Sequence, residues 1–393
     1  MPIVPDTKDW TWVLDRPCPE CGFVASAFDL AGLPGMIRAN AAAWQDLLSA
    51  PSGLDRRPSP DRWSPLEYAC HVRDVFRLYD VRLHLMLDED DPAFANWDQD
   101  ATAVEDSYNT QSPPVVAGEL TAAAGALADS FASVAAAGDQ WTRTGTRSDG
   151  AHFTVESFAR YLIHDPVHHL YDVASMPGVS LAPARDIERV AAAERRLAET
   201  VAGLTDDMVR RPSLLPSWTI GHLLSHLARN ADSHVRRSRA AIKGEAVDQY
   251  PGGFEGRASA IEAGAGRSAA EVLADLRNST AAMQAAWRDV PNSGWLVESP
   301  DVGGRSRAMR GLPARRWQEL EVHLVDLGLG PTHRDWSDDF VAAKLPELRR
   351  TLAARLPAGE PAPRPGSLDE RDELAWLYGR WRSPDLPELA PWG

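Results

Sequence analysis

Two pairs of residues in this 393-residue chain have the types and spacing of metal ligands: His164 with His168, and Glu319 with His323. On a helix, residues four apart project from one face about 6 Å along the axis, so HxxxH or ExxxH aims two donors at one point. The third donor has to come from another helix, and His71 and His226 are placed to supply it. Three protein ligands leave coordination positions open, which is the arrangement of catalytic rather than structural metal sites. The first set would be three imidazoles, suited to zinc, iron(II), nickel or copper. The second would be two imidazoles and a carboxylate, suited to zinc or iron(II). Two competitors stand beside these residues. His169 competes with His168, and His222, whose counterpart by register is Glu67, competes with His226.

A lone buried histidine is usually a satisfied core or capping residue, and one four-residue pair is weak evidence. Recurrence supplies the specificity. Trp63 precedes His71 by eight residues in "RWSPLEYACHVRD", and Trp218 precedes His226 by the same eight in "SWTIGHLLSHLARN". Both ligand pairs are followed by an aspartate, in "HDPVHHLYDV" and "ELEVHLVDL". Self-similarity of this kind marks two copies of one unit.

The elements that must position these residues are helices. Leu33, Ile37, Trp44 and Leu47 fall on one face of a first helix. A second begins near Pro65, and a third carries Val116, Leu120, Leu127, Phe131 and Val134. Thr154 can cap a fourth that runs through His164 and His168. After the short linker "SMPGVSLAPARD" the pattern restarts. Ile187, Val190, Leu197, Val201 and Leu204 mark one helix, residues 220–242 another, and Val272, Leu276, Met283 and Trp287 a third. The last runs from Pro313 to Leu327 and stops at Gly328. The expected fold class is all-α: two tandem four-helix bundles, residues 28–175 and 184–330, preceded by an extension over 1–27. A C-terminal appendage over 331–393 would consist of a helix, the proline-rich "PAGEPAPRPG" and a final helix packed back on the second bundle.

Composition narrows the function classes. A formal charge of −15 opposes general binding to nucleic acid or an anionic membrane, since a polyanion is repelled unless a basic face intervenes. Residues 1–9 lack a basic stretch followed by an apolar one, and no run of about 18 apolar residues occurs. The expectation is a cytoplasmic monomer or homodimer. Three cysteines make no disulfide framework and fit a reducing compartment. Cys18 and Cys21 form a single CxxC, which is half a structural zinc site at best or simply a rigid turn.

The second half, through "LPSWTIGHLLSHLARNADSHVR", "YPGGFEGRASAIEAGAGRSAAEVLADL" and "RRWQELEVHLVDLGLG", resembles the mycothiol-dependent maleylpyruvate isomerase family. The first half, through "WSPLEYACHVRDVF" and "FARYLIHDPVHHLYDV", resembles the DinB-like metal-binding bundle superfamily. The resemblance implies metal ligands at His226, Glu319 and His323 in the second half and at His71, His164 and His168 in the first. It also implies a C-terminal helix with a Gly-Arg, matched here by Gly379 and Arg380. That arginine would be a catalytic group gripping a substrate carboxylate bidentately. The segment before it is shorter than the family's full α/β domain.

The function implied is that of a metal-dependent enzyme, a thiol S-transferase or isomerase. A divalent metal, zinc foremost with iron(II) or nickel as alternatives, would hold a low-molecular-weight thiol such as mycothiol as the thiolate, for attack on a small electrophile. Two alternatives stand beside it: sulfur oxidation at a non-heme iron site in the first bundle, and a non-catalytic metal-binding stress protein.

Overall fold

The computed structural model describes residues 9–50, 52–364 and 366–391. Residues 1–8, read above for a targeting segment, and Pro365 of the proline-rich stretch lie outside them. The chain is 61% helix with few strands and divides into two compact units: residues 1–183 with 291–296, and residues 184–290 with 297–393.

The first unit is a four-helix bundle of α1 (Leu33–Leu48), α2 (Pro65–Asp88), α3 (Pro113–Ala137) and α4 (Val155–Ala174). Helix α1 has a proline in its first turn, where the missing N–H costs nothing. It buries Leu33, Ile37, Trp44 and Leu47. Helix α2 starts at Ser64, whose hydroxyl accepts from the Glu67 N–H while Glu67 accepts from the Ser64 N–H. This reciprocal cap satisfies two otherwise orphaned donors. Both α1 and α2 pack against α3 and α4, so α2 and α4 are neighbours and their facing side chains meet.

Among the described residues α3 alone is long and apolar enough to cross a membrane by length and composition. It carries the buried stripe Val116, Leu120, Leu127, Phe131 and Val134 that packs into the bundle.

The second unit repeats the plan with α5 (Ala184–Thr200), α6 (Ile220–Ala241), α8 (Ala269–Arg288) and α9 (Leu312–Asp326). An additional helix, α7 (Gly253–Ala265), packs on α6. Thr219 caps α6, and its partner in the reciprocal cap is His222. Helix α9 ends at Gly328, whose φ of +65° is the left-handed conformation that closes a helix and favours glycine. In each unit a short antiparallel hairpin precedes the fourth helix. Thr144–Arg147 pairs with His152–Thr154, and Glu298–Pro300 with Ser306–Ala308. These strands of three or four residues carry no alternation long enough to read from sequence.

The C-terminal segment belongs to the second unit. Helix α10 (Asp338–Arg355) and helix α11 (Glu370–Leu377) pack together. Arg349 donates to both carboxylate oxygens of Glu373 at 2.7 and 2.6 Å. The Trp336 indole donates to the Glu321 carbonyl of α9 at 3.0 Å.

The stripe on α3 makes a direct test of the first bundle. Leu127 is fully buried, whereas Val115 on the same helix is 56% exposed. Leu127→Ala is expected to cost about 2–5 kcal/mol through lost burial and the cavity left behind. Val115→Ala should stay within about 0.5 kcal/mol. Urea denaturation of the two variants measures the difference.

Candidate metal centres

Each bundle joins its second helix to its fourth through a histidine and a carboxylate. In the second unit Trp218 lies just before the cap of α6, and its ring is 5.6 Å from that of His226, two turns into the helix. His226 is 3% exposed, and its Nε2 is 2.9 Å from Glu319 Oε2 on α9. His323, one turn beyond Glu319, brings its Nε2 to 3.3 Å from the same oxygen. The rings of His226 and His323 stand 4.9 Å apart and nearly perpendicular. Donors at bond lengths of about 2.0–2.2 Å around a tetrahedral ion are separated by about 3.3 Å, so this set has the size and chemistry to hold a divalent metal. The Glu319 side chain is 27% exposed, which leaves an approach from solvent.

In the first unit the expected residues part company. His71 on α2, with Trp63 at 5.2 Å between ring centres, does not meet His164 and His168. Its Nε2 faces Asp165 at 3.3 Å, and its ring meets His169 at 4.9 Å. His71, Asp165 and His169 therefore form one donor group, and His164 and His168 join Cys18 and Cys21 in another. The reading of one three-histidine site gives way to two histidines and a carboxylate, the same types as in the second unit. Physically, His164 with His168 and Asp165 with His169 both satisfy four-residue spacing. Consecutive residues are about 100° apart around the helix, so only one pair faces α2.

The aspartate that follows each pair fixes the register. Asp172 is seven residues after Asp165, and Asp326 is seven after Glu319. His169 Nδ1 pairs with Asp172 at 3.0 Å and His323 Nδ1 with Asp326 at 2.8 Å. A carboxylate on the far nitrogen orients an imidazole and raises its basicity as a ligand. His222 is occupied otherwise. Its Nδ1 accepts from the Thr219 N–H in the cap of α6, and its Nε2 is 3.1 Å from Glu262.

Arg380 takes a different place from the one expected. Its Nε and Nη2 each donate to Asp326 at 2.8 Å, so its bidentate grip is spent on the aspartate that orients His323. Arg380 is thereby held on Asp326 rather than presented to a substrate carboxylate. In the first unit Arg62 stands beside Asp172 more loosely, donating to its main-chain carbonyl at 2.7 Å with the carboxylate at 3.6 Å. Arg257 on α7 went unread in the sequence, although the quoted "YPGGFEGR" contains it. Its Nη2 donates to His226 Nδ1 at 3.2 Å.

The electrostatics favour ligation. Burial lowers the His226 pKa to about 4, so this imidazole is neutral at pH 7. Burial opposes ionisation of Glu319, but hydrogen bonds from His226 and His323 hold it well below the usual carboxylate range. His323 is pushed the other way. Against the cost of burial, Asp326 and Glu319 stabilise its protonated form and raise its pKa.

Comparison with known proteins bears on each half of the chain. Both halves are domains of the helical-bundle kind. Residues 36–173 match the DinB superfamily, and residues 190–328 match the mycothiol maleylpyruvate isomerase N-terminal domain. Both agree with the resemblance read from the motifs. The chain is similar to the solved mycothiol-dependent maleylpyruvate isomerase at 20% identity and a TM-score of 0.47, over 53% of this chain and 97% of that one. A second similar structure is YfiT from Bacillus subtilis, described as a probable metal-dependent hydrolase with an unusual four-helix bundle topology. It matches at 18% identity and a TM-score of 0.33, over 38% of this chain and 89% of its own. No curated protein sequence matches the chain.

Two outcomes follow. His169→Ala or Asp165→Asn should abolish metal binding at the His71 centre while His164→Ala leaves it in place, as followed by cobalt(II) titration and metal analysis. At the second centre a ligand must be deprotonated to bind. Metal binding should therefore release up to about one proton, from His323, at and below its raised pKa, with affinity rising as pH increases and levelling above that pKa. Calorimetry in buffers of different ionisation enthalpy counts that proton. Asp326→Asn should weaken the metal by about 10–100-fold.

Proposed function

We propose that this chain is a metal-dependent thiol transferase or isomerase working at His226, Glu319 and His323, with a low-molecular-weight thiol such as mycothiol as cosubstrate. The observation that carries this reading is the convergence of three donors, one side reachable from solvent, inside the segment that matches the mycothiol maleylpyruvate isomerase N-terminal domain. A divalent metal on two imidazoles and one carboxylate supplies a Lewis acid with open positions, at which a soft thiol loses its proton near neutral pH. His226 stays unprotonated through burial, and Glu319 stays ionised through its two histidine partners. Asp326, itself held by Arg380, fixes the orientation of His323.

The electrophile is anionic in this reading. Arg257 reaches the site with its guanidinium on an imidazole nitrogen, and among the described residues it has no carboxylate partner. Were His226 to ligate a metal through the nitrogen that faces Glu319, its Nδ1 would carry the proton and could not accept from Arg257. The guanidinium would then be available to a substrate carboxylate. Addition would form a sulfur–carbon bond and place an electron pair on the substrate. Expulsion of the thiolate would restore the double bond with changed geometry, whereas retention of the sulfur–carbon bond, with the proton released by the thiol returned to the carbanion, would give net thiol addition instead.

A second reading concerns the first bundle. His71, Asp165 and His169 are two histidines and a carboxylate, a set that also suits iron(II) with open positions, and oxidative chemistry there is the alternative. A strict oxygen requirement lost in Asp165→Asn and kept in Glu319→Gln would assign the activity to that bundle.

With the cobalt(II)-loaded protein, adding mycothiol should increase sulfur-to-metal charge-transfer absorption, and Glu319→Ala should abolish the increment. No increment with any small thiol would overturn the thiol reading. Arg257→Ala should raise the KM for an anionic electrophile roughly 10–100-fold while thiol binding is retained.

A further inference from the structure

The pair left over by the register of α4 has its own partners. His164 and His168 are 4% and 6% exposed and point away from His71. Against them lies the turn "CPECGF". Its geometry is fixed by the backbone: the Cys18 N–H donates to the Phe23 carbonyl at 2.8 Å and the Gly22 N–H to the Cys18 carbonyl at 2.9 Å. Gly22, at φ +73°, takes the left-handed conformation that lets the turn close without a side-chain clash. The Phe23 N–H is directed at the Cys21 sulfur. The two thiols are thus presented together, and Cys18 Sγ stands 3.7 Å from His168 Nδ1.

One donor atom from each of Cys18, Cys21, His164 and His168 lies within 4.8 Å of the other three. Zinc bonds of about 2.3 Å to sulfur and 2.0–2.1 Å to nitrogen give a tetrahedron with edges of roughly 3.3–3.8 Å, so the four donors need only a small contraction to meet one ion. The surroundings suit a metal as well. Trp10 covers both imidazoles at 5.5 and 5.2 Å, and Phe23 covers His164 at 5.3 Å, which shields the cluster from water. Nε2 of His168 faces Glu20 at 3.6 Å and Asp172 at 3.8 Å, carboxylates of the kind that steady a metal-bound imidazole. Nε2 of His164 is buried without a hydrogen-bond partner.

We propose that Cys18, Cys21, His164 and His168 form a closed Cys₂His₂ zinc site that staples the N-terminal segment to α4. Four protein ligands leave no open position, so its role is structural, in contrast to the two centres described above. Outside the short helical turn Thr11–Leu14, residues 9–28 have no regular secondary structure. They depend for their placement on contacts such as Arg160 Nη1 donating to the Ala25 carbonyl at 2.6 Å. A cross-link from residues 18 and 21 to 164 and 168 closes a long loop, the case in which a metal clip contributes most.

The full-length protein, purified under reducing conditions without added metal, makes the test. Zinc analysis should show one equivalent that Cys18→Ser and Cys21→Ser each remove and that His226→Ala and His71→Ala do not. The cobalt(II) form should show sulfur charge-transfer absorption with no thiol added, and His226→Ala should keep it. Because a serine variant can lose metal through misfolding, His164→Cys serves as the second probe. It should retain the metal and raise the charge-transfer absorption by about 1.5-fold, as two sulfurs become three. The proposal is overturned if the cobalt protein shows no sulfur band, if Cys18 and Cys21 form a disulfide with the zinc content unchanged, or if both thiols react freely in the zinc-loaded protein.

Discussion

The contact between the second and fourth helices of each bundle, where a buried imidazole meets a carboxylate, constrains much of what surrounds it. His226 and Glu319 have to be within hydrogen-bond distance across the seam between α6 and α9, and neither can be left alone in a buried setting without a large penalty. The tryptophan and cap that start α6 set the depth of His226, and the glycine at 328 ends α9 just past Asp326. The appendage enters the same arrangement through Arg380. A carboxylate, an imidazole, a second carboxylate and a guanidinium thus alternate in sign from the seam to the C-terminal segment. Each member is stabilised by the next, and removing one leaves a buried charge unpaired.

Much of this architecture was readable from the sequence because it rests on local signals. Apolar stripes such as Val116 to Val134, the cap at Thr154 and the stop at Gly328 are short-range features, and the structure has helices where they indicate them. The repeat was legible from the Trp63 and Trp218 spacings. Helix α7 and the two hairpins were not, since their form depends on packing rather than on a pattern of their own.

The centres were legible up to one residue of rotation. His164 with His168 and Asp165 with His169 make two overlapping four-residue pairs, and periodicity cannot choose between them. The distance to the following aspartate can: seven residues in both halves selects Asp165 and His169. The meeting of Cys18 and Cys21 with His164 and His168 spans about 150 residues and is set by tertiary packing, so the CxxC could be read only as half of something. Arg380 was legible as a residue of interest but not in its role, because a bidentate arginine suits a structural carboxylate as well as a substrate's.

The two donor groups on adjacent faces of α4 carry one more consequence, in charge. The rings of His168 and His169 are 5.9 Å apart, so cations held on the two faces would lie roughly 10 Å apart. A centre of net charge +2 and one of +1 at that distance repel by about 3.3 kcal/mol at an effective dielectric constant of 20. Two thiolates cancel a divalent ion, whereas one aspartate leaves a single positive charge. Cysteine on one face and carboxylate on the other therefore let one helix serve both groups with little mutual repulsion. Replacing the cysteines by neutral ligands would restore it.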